Sequence, residues 1–318
     1  MENNYIRNAL EQYNMQDAEF ELIRHNENMT LRVDGQYLLR IHKHAEGFDT
    51  DYAYEGMNRI EIRRSELAFL SHLNCQEMRV QSPVPNRDGD CITILPDGVC
   101  ATMLTWIPGR TLEKSDITED ICFQIGAMVA RMHRAAENFR AEAILRYDSS
   151  LCERVKQKLE SEEVIRILGK TNQQVILAAC NVMQDRFCSN HETNTVHTDL
   201  SLSNILIADS GLIPIDFSLF GSGHPMMDIG SLYGSINGVE NRRAIAEGYK
   251  SLGGKIDFPM LDVCFALNVL LYIMLHINSV SGQECFTERL ERWCRETFQP
   301  LTNGKPLISE EFYMLNVK

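Results

Sequence analysis

The chain has 318 residues, 44% of them apolar and 24% charged, with 31 basic against 44 acidic side chains and a formal charge of −13. That length and usage suit one large domain or two smaller ones with a substantial core, and exclude a disordered or fibrous chain. The acidic excess argues against nucleic acid as a partner, because phosphate backbones are met by Lys and Arg, and mildly favours cationic or neutral ligands.

Met1 to Gln12 carries Glu2, Arg7 and Glu11 and lacks the apolar stretch of a secretory signal, so it reads as a first helix. From Phe20 to Thr105 short β-like segments dominate: Glu21 to Arg24, Met29 to Val33, Tyr37 to His42, Cys91 to Leu95 and Val99 to Leu104. Asp34-Gly35, Asp88-Gly89 and Pro96-Asp97-Gly98 supply the tight turns of an antiparallel sheet. One helix interrupts it, from about Asn58 to Leu73, with Ile62, Phe69, Leu70 and Leu73 at helical spacing and Glu66 on the same stripe. Beyond Thr105 the texture turns helical. Ile121 to Met132 and Val175 to Phe187 are amphipathic, and further helices are expected over Asn241 to Leu252, Met260 to Ile277 and Cys285 to Thr297. The organisation expected is a small β-rich lobe over 1–105 and a larger helical lobe over 106–318, joined at 106–110.

The longest apolar run, Cys264 to Leu275, has twelve residues, against roughly 20 for a bilayer span, and reads as a buried helix rather than a membrane contact. Ten scattered cysteines, with no C-x-x-C pair and no histidines at zinc spacing, are expected to be reduced thiols of a cytoplasmic protein.

The chemistry is concentrated in Val196-His197-Thr198-Asp199-Leu200-Ser201-Leu202-Ser203-Asn204, which satisfies H-x-D-L-x-x-x-N. A second acid, Asp216, follows twelve positions after Asn204 on the strand-like stretch Gly211 to Phe217. Phosphoryl transfer asks a protein to place an acceptor hydroxyl and to neutralise polyphosphate charge through Mg²⁺. Asn204 offers an amide oxygen and Asp216 a carboxylate, the hard ligands Mg²⁺ takes. Asp199 is the candidate base for the hydroxyl proton, and His197 a strut that positions the loop. Upstream, strand alternation sends Arg40 and Lys43 to opposite sides, and Glu66, costly on an apolar stripe unless paired, is expected to take Arg40 as its partner. No G-x-G-x-x-G is present; the turn His25-Asn26-Glu27-Asn28 is the candidate for meeting phosphate through its amides and Asn side chains.

On these motifs the chain resembles the aminoglycoside phosphotransferase and choline kinase-like superfamily along nearly its whole length. Tyr37 to Lys43 resembles the family's "yvLRihr" strand, Arg63-Arg64-Ser65-Glu66-Leu67 its ion-pair helix, and Ile125 to His133 its "lGaalArLH" helix. His197 to Asn204 resembles the catalytic loop, Ile215-Asp216-Phe217 the metal-binding strand end, and Asp228 the acid opening the next helix. The resemblance implies a protein-kinase-like two-lobed α+β fold. It also implies ATP or GTP with Mg²⁺, Asp199 as base, and Asn204 and Asp216 as metal ligands. Arg40 with Glu66 becomes the phosphate clamp, with Arg in place of the lysine of better-known members. Met103, Thr105 and Trp106 become the adenine-facing hinge.

Only about ten residues, Phe217 to Met227, separate Asp216 from the helix opened by Asp228. That leaves little room for a peptide-docking segment, so a small hydroxyl compound is the expected acceptor. Candidates range over aminoglycoside-like antibiotics and metabolites such as homoserine, choline or a sugar. A serine/threonine protein kinase and a catalytically silent nucleotide-binding module are the alternatives. Glu284, Glu288 and Glu291 are candidates to face an amine-bearing ligand, or else form a solvated helix face.

Overall fold

A computed structural model gives the architecture and describes residues 2–25, 28–46, 51–54, 56–280 and 284–308. Helix α1 (Glu2–Glu11) precedes the strands β1 (Phe20–His25), β2 (Met29–Val33) and β3 (Tyr37–Ile41). The short α2 (Asp51–Tyr54) and long α3 (Arg59–Cys75) lead to β4 (Pro83–Val84), β5 (Thr93–Ile94) and β6 (Cys100–Thr105). These strands form one antiparallel sheet of order β1-β2-β3-β6-β4, with β5 also on β6. Asp34 and Gly35 both adopt positive φ, and Gln36 N–H closes on Val33 C=O at 3.0 Å, the primed turn that matches strand twist. Asn58 caps α3 by accepting from Ile60 N–H at 3.0 Å.

Alternation along β3 sorts its side chains between two layers. Leu39 and Ile41 join Leu31, Met103 and the α1 residues Ile6 and Leu10 in one core cluster. Leu38 faces the other core with Leu104 and the α3 residues Ile62, Phe69 and Leu70. Arg40, between Leu39 and Ile41, therefore points to the α3 side.

The remainder is mostly helical: β7 (Arg110–Thr111), α4 (Glu119–Ala136), β8 (Leu145–Tyr147), α5 (Ser149–Leu159), α6 (Glu162–Leu168), α7 (Lys170–Ser189) and β9 (Asn194–Val196). Then come β10 (Ile205–Ala208), β11 (Gly211–Pro214), β12 (Gly221–Gly223), α8 (Met226–Ser235), α9 (Val239–Ser251), α10 (Phe258–Val280), α11 (Glu284–Trp293) and α12 (Gln299–Thr302). An antiparallel sheet and a mostly helical remainder make this a two-lobed α+β fold.

Three expectations need correction. The strand anticipated over Gly211 to Phe217 stops at Pro214, because Asp216 is left-handed (φ 64°, ψ 66°) and turns the chain into a 3-10 turn at Phe217–Leu219. The helix anticipated to Thr297 ends as α11 at Trp293 and continues as a π-helical turn, Cys294–Phe298. The twelve-residue apolar run lies in the longer α10, whose stretch Phe258–Asn278 is apolar enough in composition to cross a bilayer. In this fold 61% of its most apolar window is buried, and α10 packs on α8 and α7 as a core helix.

Helices α4 and α9 meet at backbone contact. A Cβ on Gly126 would overlap the Ile245 carbonyl, and one on Gly248 the Phe123 carbonyl, so only glycine permits the approach. Gly248→Ala is expected to destabilise the fold by about 2 kcal/mol or more, the range of forced overpacking. Denaturant melts of the variant and wild type check this; an unchanged midpoint would show that the helices can part without cost.

Candidate active site

The loop after β9 is held from below by a buried carboxylate. Asp228, in the first turn of α8 and fully buried, accepts from His197 N–H at 3.0 Å and from Thr198 N–H at 2.6 Å. Its Oδ2 also lies 2.8 Å from His133 Nε2, whose Nδ1 is 2.8 Å from the Tyr249 hydroxyl. Burial pushes the Asp228 carboxyl up, but the His133 bond, the nearby histidines and the His197 amide outweigh it and hold it below the usual carboxylate range. Thr198 takes a left-handed φ of 68°, a strained conformation for a β-branched residue. Its hydroxyl meets Leu219 C=O at 2.7 Å and the Tyr147 hydroxyl at 3.1 Å, which offsets part of that strain.

His197 faces inward. Its Nε2 donates to Ile215 C=O at 2.9 Å, its Nδ1 accepts from Asp199 N–H at 3.3 Å, and its ring packs 4.4 Å from Phe217. Phe217 in turn contacts Phe69 of α3 at 5.8 Å. One imidazole and two rings thus join the loop, the Asp216 turn and α3.

Asp199, Asn204 and Asp216 line one cavity of about 690 Å³. Asn204 Nδ2 donates to the backbone and side-chain oxygens of Asp199, each at 2.8 Å, which fixes the carboxylate and the amide orientation together. Asn204 Oδ1 and Asp216 Oδ1 are both buried with no hydrogen-bond donor. Two such oxygens in one cavity are the donor set a hard divalent cation lacks only water and phosphate to complete. Among the described residues no cluster of three His, Cys, Asp or Glu forms a self-sufficient metal site.

Around Asp216 the charges alternate. Arg24 Nη2 lies 2.6 Å from Asp216 Oδ2, and Arg40 Nη1 3.7 Å from its Oδ1. Arg40 Nη2 lies 2.6 Å from Glu66 Oε1, both side chains at most 3% exposed. Arg63 closes the row at 3.1 Å from Glu66 Oε2, and also donates to Ser218 C=O at 2.7 Å and the Tyr54 hydroxyl at 2.9 Å. Burial would raise the Asp216 carboxyl, but Arg24 and Arg40 overcome that and lower it. Lys43 instead lies over the Tyr5 ring at 5.5 Å, away from the pair.

A model of the phosphotransferase enzyme family matches residues 21–262. The chain belongs to that family. It is 26% identical to a homoserine kinase of Neisseria meningitidis serogroup B over 175 residues, 53% of this chain and 54% of that protein. It therefore spans about half the length of that curated relative. It is 22% identical to the amicoumacin kinase of Bacillus subtilis (strain 168) over 287 residues, 80% of this chain and 82% of that one. A microcompartment-associated aminopropanol kinase superposes with TM-score 0.69 at 19% identity, covering 94% of this chain and 99% of that chain. An amicoumacin kinase in complex with AMP-PNP, Ca²⁺ and Ami superposes with TM-score 0.70 at 17% identity, covering 93% and 91%. These likenesses show a shared kinase-like fold.

Other assignments fare differently in this family member. Met103 is fully buried with Leu39 on the α1 side of the sheet, so its side chain points away from the cavity that holds Asp199. Thr105 N–H donates to Ser82 C=O at 2.8 Å and Trp106 N–H to Gln36 C=O at 2.7 Å, while Arg32 covers the Trp106 ring at 4.7 Å. None of the three lines that cavity. Asn28 lines that cavity, its Oδ1 2.8 Å from His42 Nδ1, and Asn26 and Glu27 lie outside the described residues. Glu288 and Glu291 are exposed and do not line the cavity; α11 turns Arg289, Arg292 and Trp293 into it instead. The Glu284 side chain lies outside the described residues.

Arg24, Arg63, His133 and Tyr249 were not anticipated. Arg63 carried a signal, since it sits three residues before Glu66 on the same helix face. Arg24 is the penultimate residue of β1, just before the candidate phosphate turn. His133 closes the family-like segment Ile125 to His133, but its bond to Asp228, and that of Tyr249 to His133, arise only through tertiary packing.

Because the native Asp228 carboxyl is depressed, its contribution to stability is present above the unfolded value of about 4 and is lost as pH falls through the lower native value. Asp228→Asn is expected to cost about 3 kcal/mol at neutral pH and to flatten the acid limb of stability against pH. Urea titrations between pH 3 and 7 check this, and parallel curves for the two proteins would count against it.

Proposed function

We propose that this chain transfers the γ-phosphoryl group of ATP or GTP to a hydroxyl of a small molecule, with Asp199 as base. The observation that carries the reading is the pair of donor-less oxygens, Asn204 Oδ1 and Asp216 Oδ1, sharing one cavity with an Asp199 carboxylate fixed by Asn204. Asn204 and Asp216 would hold Mg²⁺, which when bound neutralises charge on the phosphates. Asp199 accepts the hydroxyl proton or orients the hydroxyl for attack. Arg40, braced by Glu66, presents a fixed cation toward the phosphates, and Arg24 adds a second from β1. The three guanidiniums of the row outnumber its two carboxylates, so an anion fits there.

A small acceptor is favoured over a protein by the segment after Asp216. Its β12 is paired on both sides, parallel to β8 and antiparallel to β9, so it forms sheet where a protein kinase has a peptide-docking loop. We place the boundary between a nucleotide lobe over 1–105 and a catalytic lobe over 106–318 at the connecting segment 106–110. We place the protein in the cytoplasm, where its ten cysteine thiols would stay reduced.

Asp199→Asn is expected to lower acceptor phosphorylation by about 10²-fold or more while nucleotide affinity stays within about threefold of wild type. Asp216→Asn is expected to raise the Mg²⁺ concentration needed for half-maximal nucleotide binding. Acceptor-stimulated ATP turnover and calorimetric nucleotide titrations check both. Nucleotide binding without turnover for any acceptor in the wild type would leave a silent binding module, and phosphate on serine or threonine of an added polypeptide would mark a protein kinase.

A further inference from the structure

Helices α10 and α11 give the cavity a wall whose charge is the reverse of the molecule's as a whole. Helix α10 contributes Asn268, Tyr272 and His276, four residues apart and so aligned on one face, and α11 contributes Arg289, Arg292 and Trp293. The Tyr272 ring lies 4.5 Å from His276 and 5.8 Å from Trp293. The acids of these helices whose side chains are described are turned elsewhere. Asp262 accepts from Leu307 N–H at 3.0 Å and Ile308 N–H at 2.8 Å, and Glu288 and Glu291 stay outside the cavity. Among the described lining residues the only carboxylates are Asp199 and Asp216.

Aromatic rings can cradle a cation, but here the Arg289 guanidinium already lies over the Trp293 ring at 5.9 Å. Arg289 Nε is buried without a hydrogen-bond partner, a donor left for something other than the described residues. Two guanidiniums one helical turn apart repel an incoming amine and match the paired oxygens of an anion.

We propose that the acceptor bears an anionic oxygen group, carboxylate or phosphate, bound by Arg289 and Arg292, so that the site selects hydroxy acids or phospho-alcohols over polyamines. This rests on the phosphotransferase reading above and names its acceptor class. It departs from the expectation, drawn from the overall charge of −13, of a cationic or neutral ligand.

The test is calorimetric titration of the Mg·ADP-loaded protein with 4-hydroxybutyrate, 4-hydroxybutyramide, 4-amino-1-butanol, glycerol 3-phosphate and kanamycin. At least one of the two anions is expected to bind about tenfold or more tighter than the amide, the amine and kanamycin, as hydrogen bonds to charged groups warrant. The tighter of the two identifies the anion. Arg289→Met and Arg292→Met are each expected to weaken that anion about tenfold and to leave Mg·ADP affinity unchanged. Equal or tighter binding of the amine or kanamycin, or no binding of either anion, overturns the proposal on the wild type alone, whatever the variants do. Failure of the protein to bind Mg·ADP at all would instead overturn the phosphotransferase reading.

Discussion

A row of alternating charges, Arg63, Glu66, Arg40, Asp216 and Arg24, ties the sheet and α3 to the turn after β11. Each carboxylate lies between two guanidiniums, so neither the buried Glu66 nor the partly buried Asp216 is left uncompensated. Such a row contributes little net stability once desolvation is counted, but it fixes geometry, because moving any member strands its neighbour. The sheet, α3 and the Asp216 turn are placed relative to one another by this requirement more than by area buried between them. Phe217 and Phe69 reinforce the same joint with apolar contact.

Beneath the row, two left-handed residues, Thr198 and Asp216, aim the loop and the turn into the cavity. Neither conformation is favourable for its side chain, and each persists because its surroundings over-determine it. Thr198 is gripped by Asp228 at its amide and by Leu219 and Tyr147 at its hydroxyl. Asp216 is gripped by two arginines. The strain sits where chemistry needs the side chains, and the hydrogen bonds that offset it come from α8, β8 and β1.

Most of the sheet and the long helices could be read from periodicity, since a stripe such as Ile62, Phe69, Leu70 and Leu73 encodes burial locally. The ordered motif from His197 to Asp216 brought Asp199, Asn204 and Asp216 together in the reading before any coordinates. What escaped were contacts between residues far apart in sequence with no shared local pattern: His133 with Asp228, Arg24 with Asp216. The Gly211 to Phe217 strand was overdrawn because strand propensity continues through Ile215 while backbone handedness reverses at Asp216, which composition does not show. For Glu288 and Glu291 the solvated face is the reading that holds, and it was undecided in the sequence because α11 carries both glutamates and arginines, and only packing decides which face turns inward.

The backbone contact between α4 and α9 has a reach beyond packing. Helix α4 carries His133 and α9 carries Tyr249, and the two side chains meet 2.8 Å apart directly beneath the Asp228 carboxylate. Gly126, two turns before His133 on α4, and Gly248, next to Tyr249 on α9, therefore act as a gauge block. They set the axial offset of two helices and, through His133, the height at which Asp228 carries the loop. A tolerance set by the absence of two methyl groups is thus transmitted to the position of Asp199, which lies on neither helix.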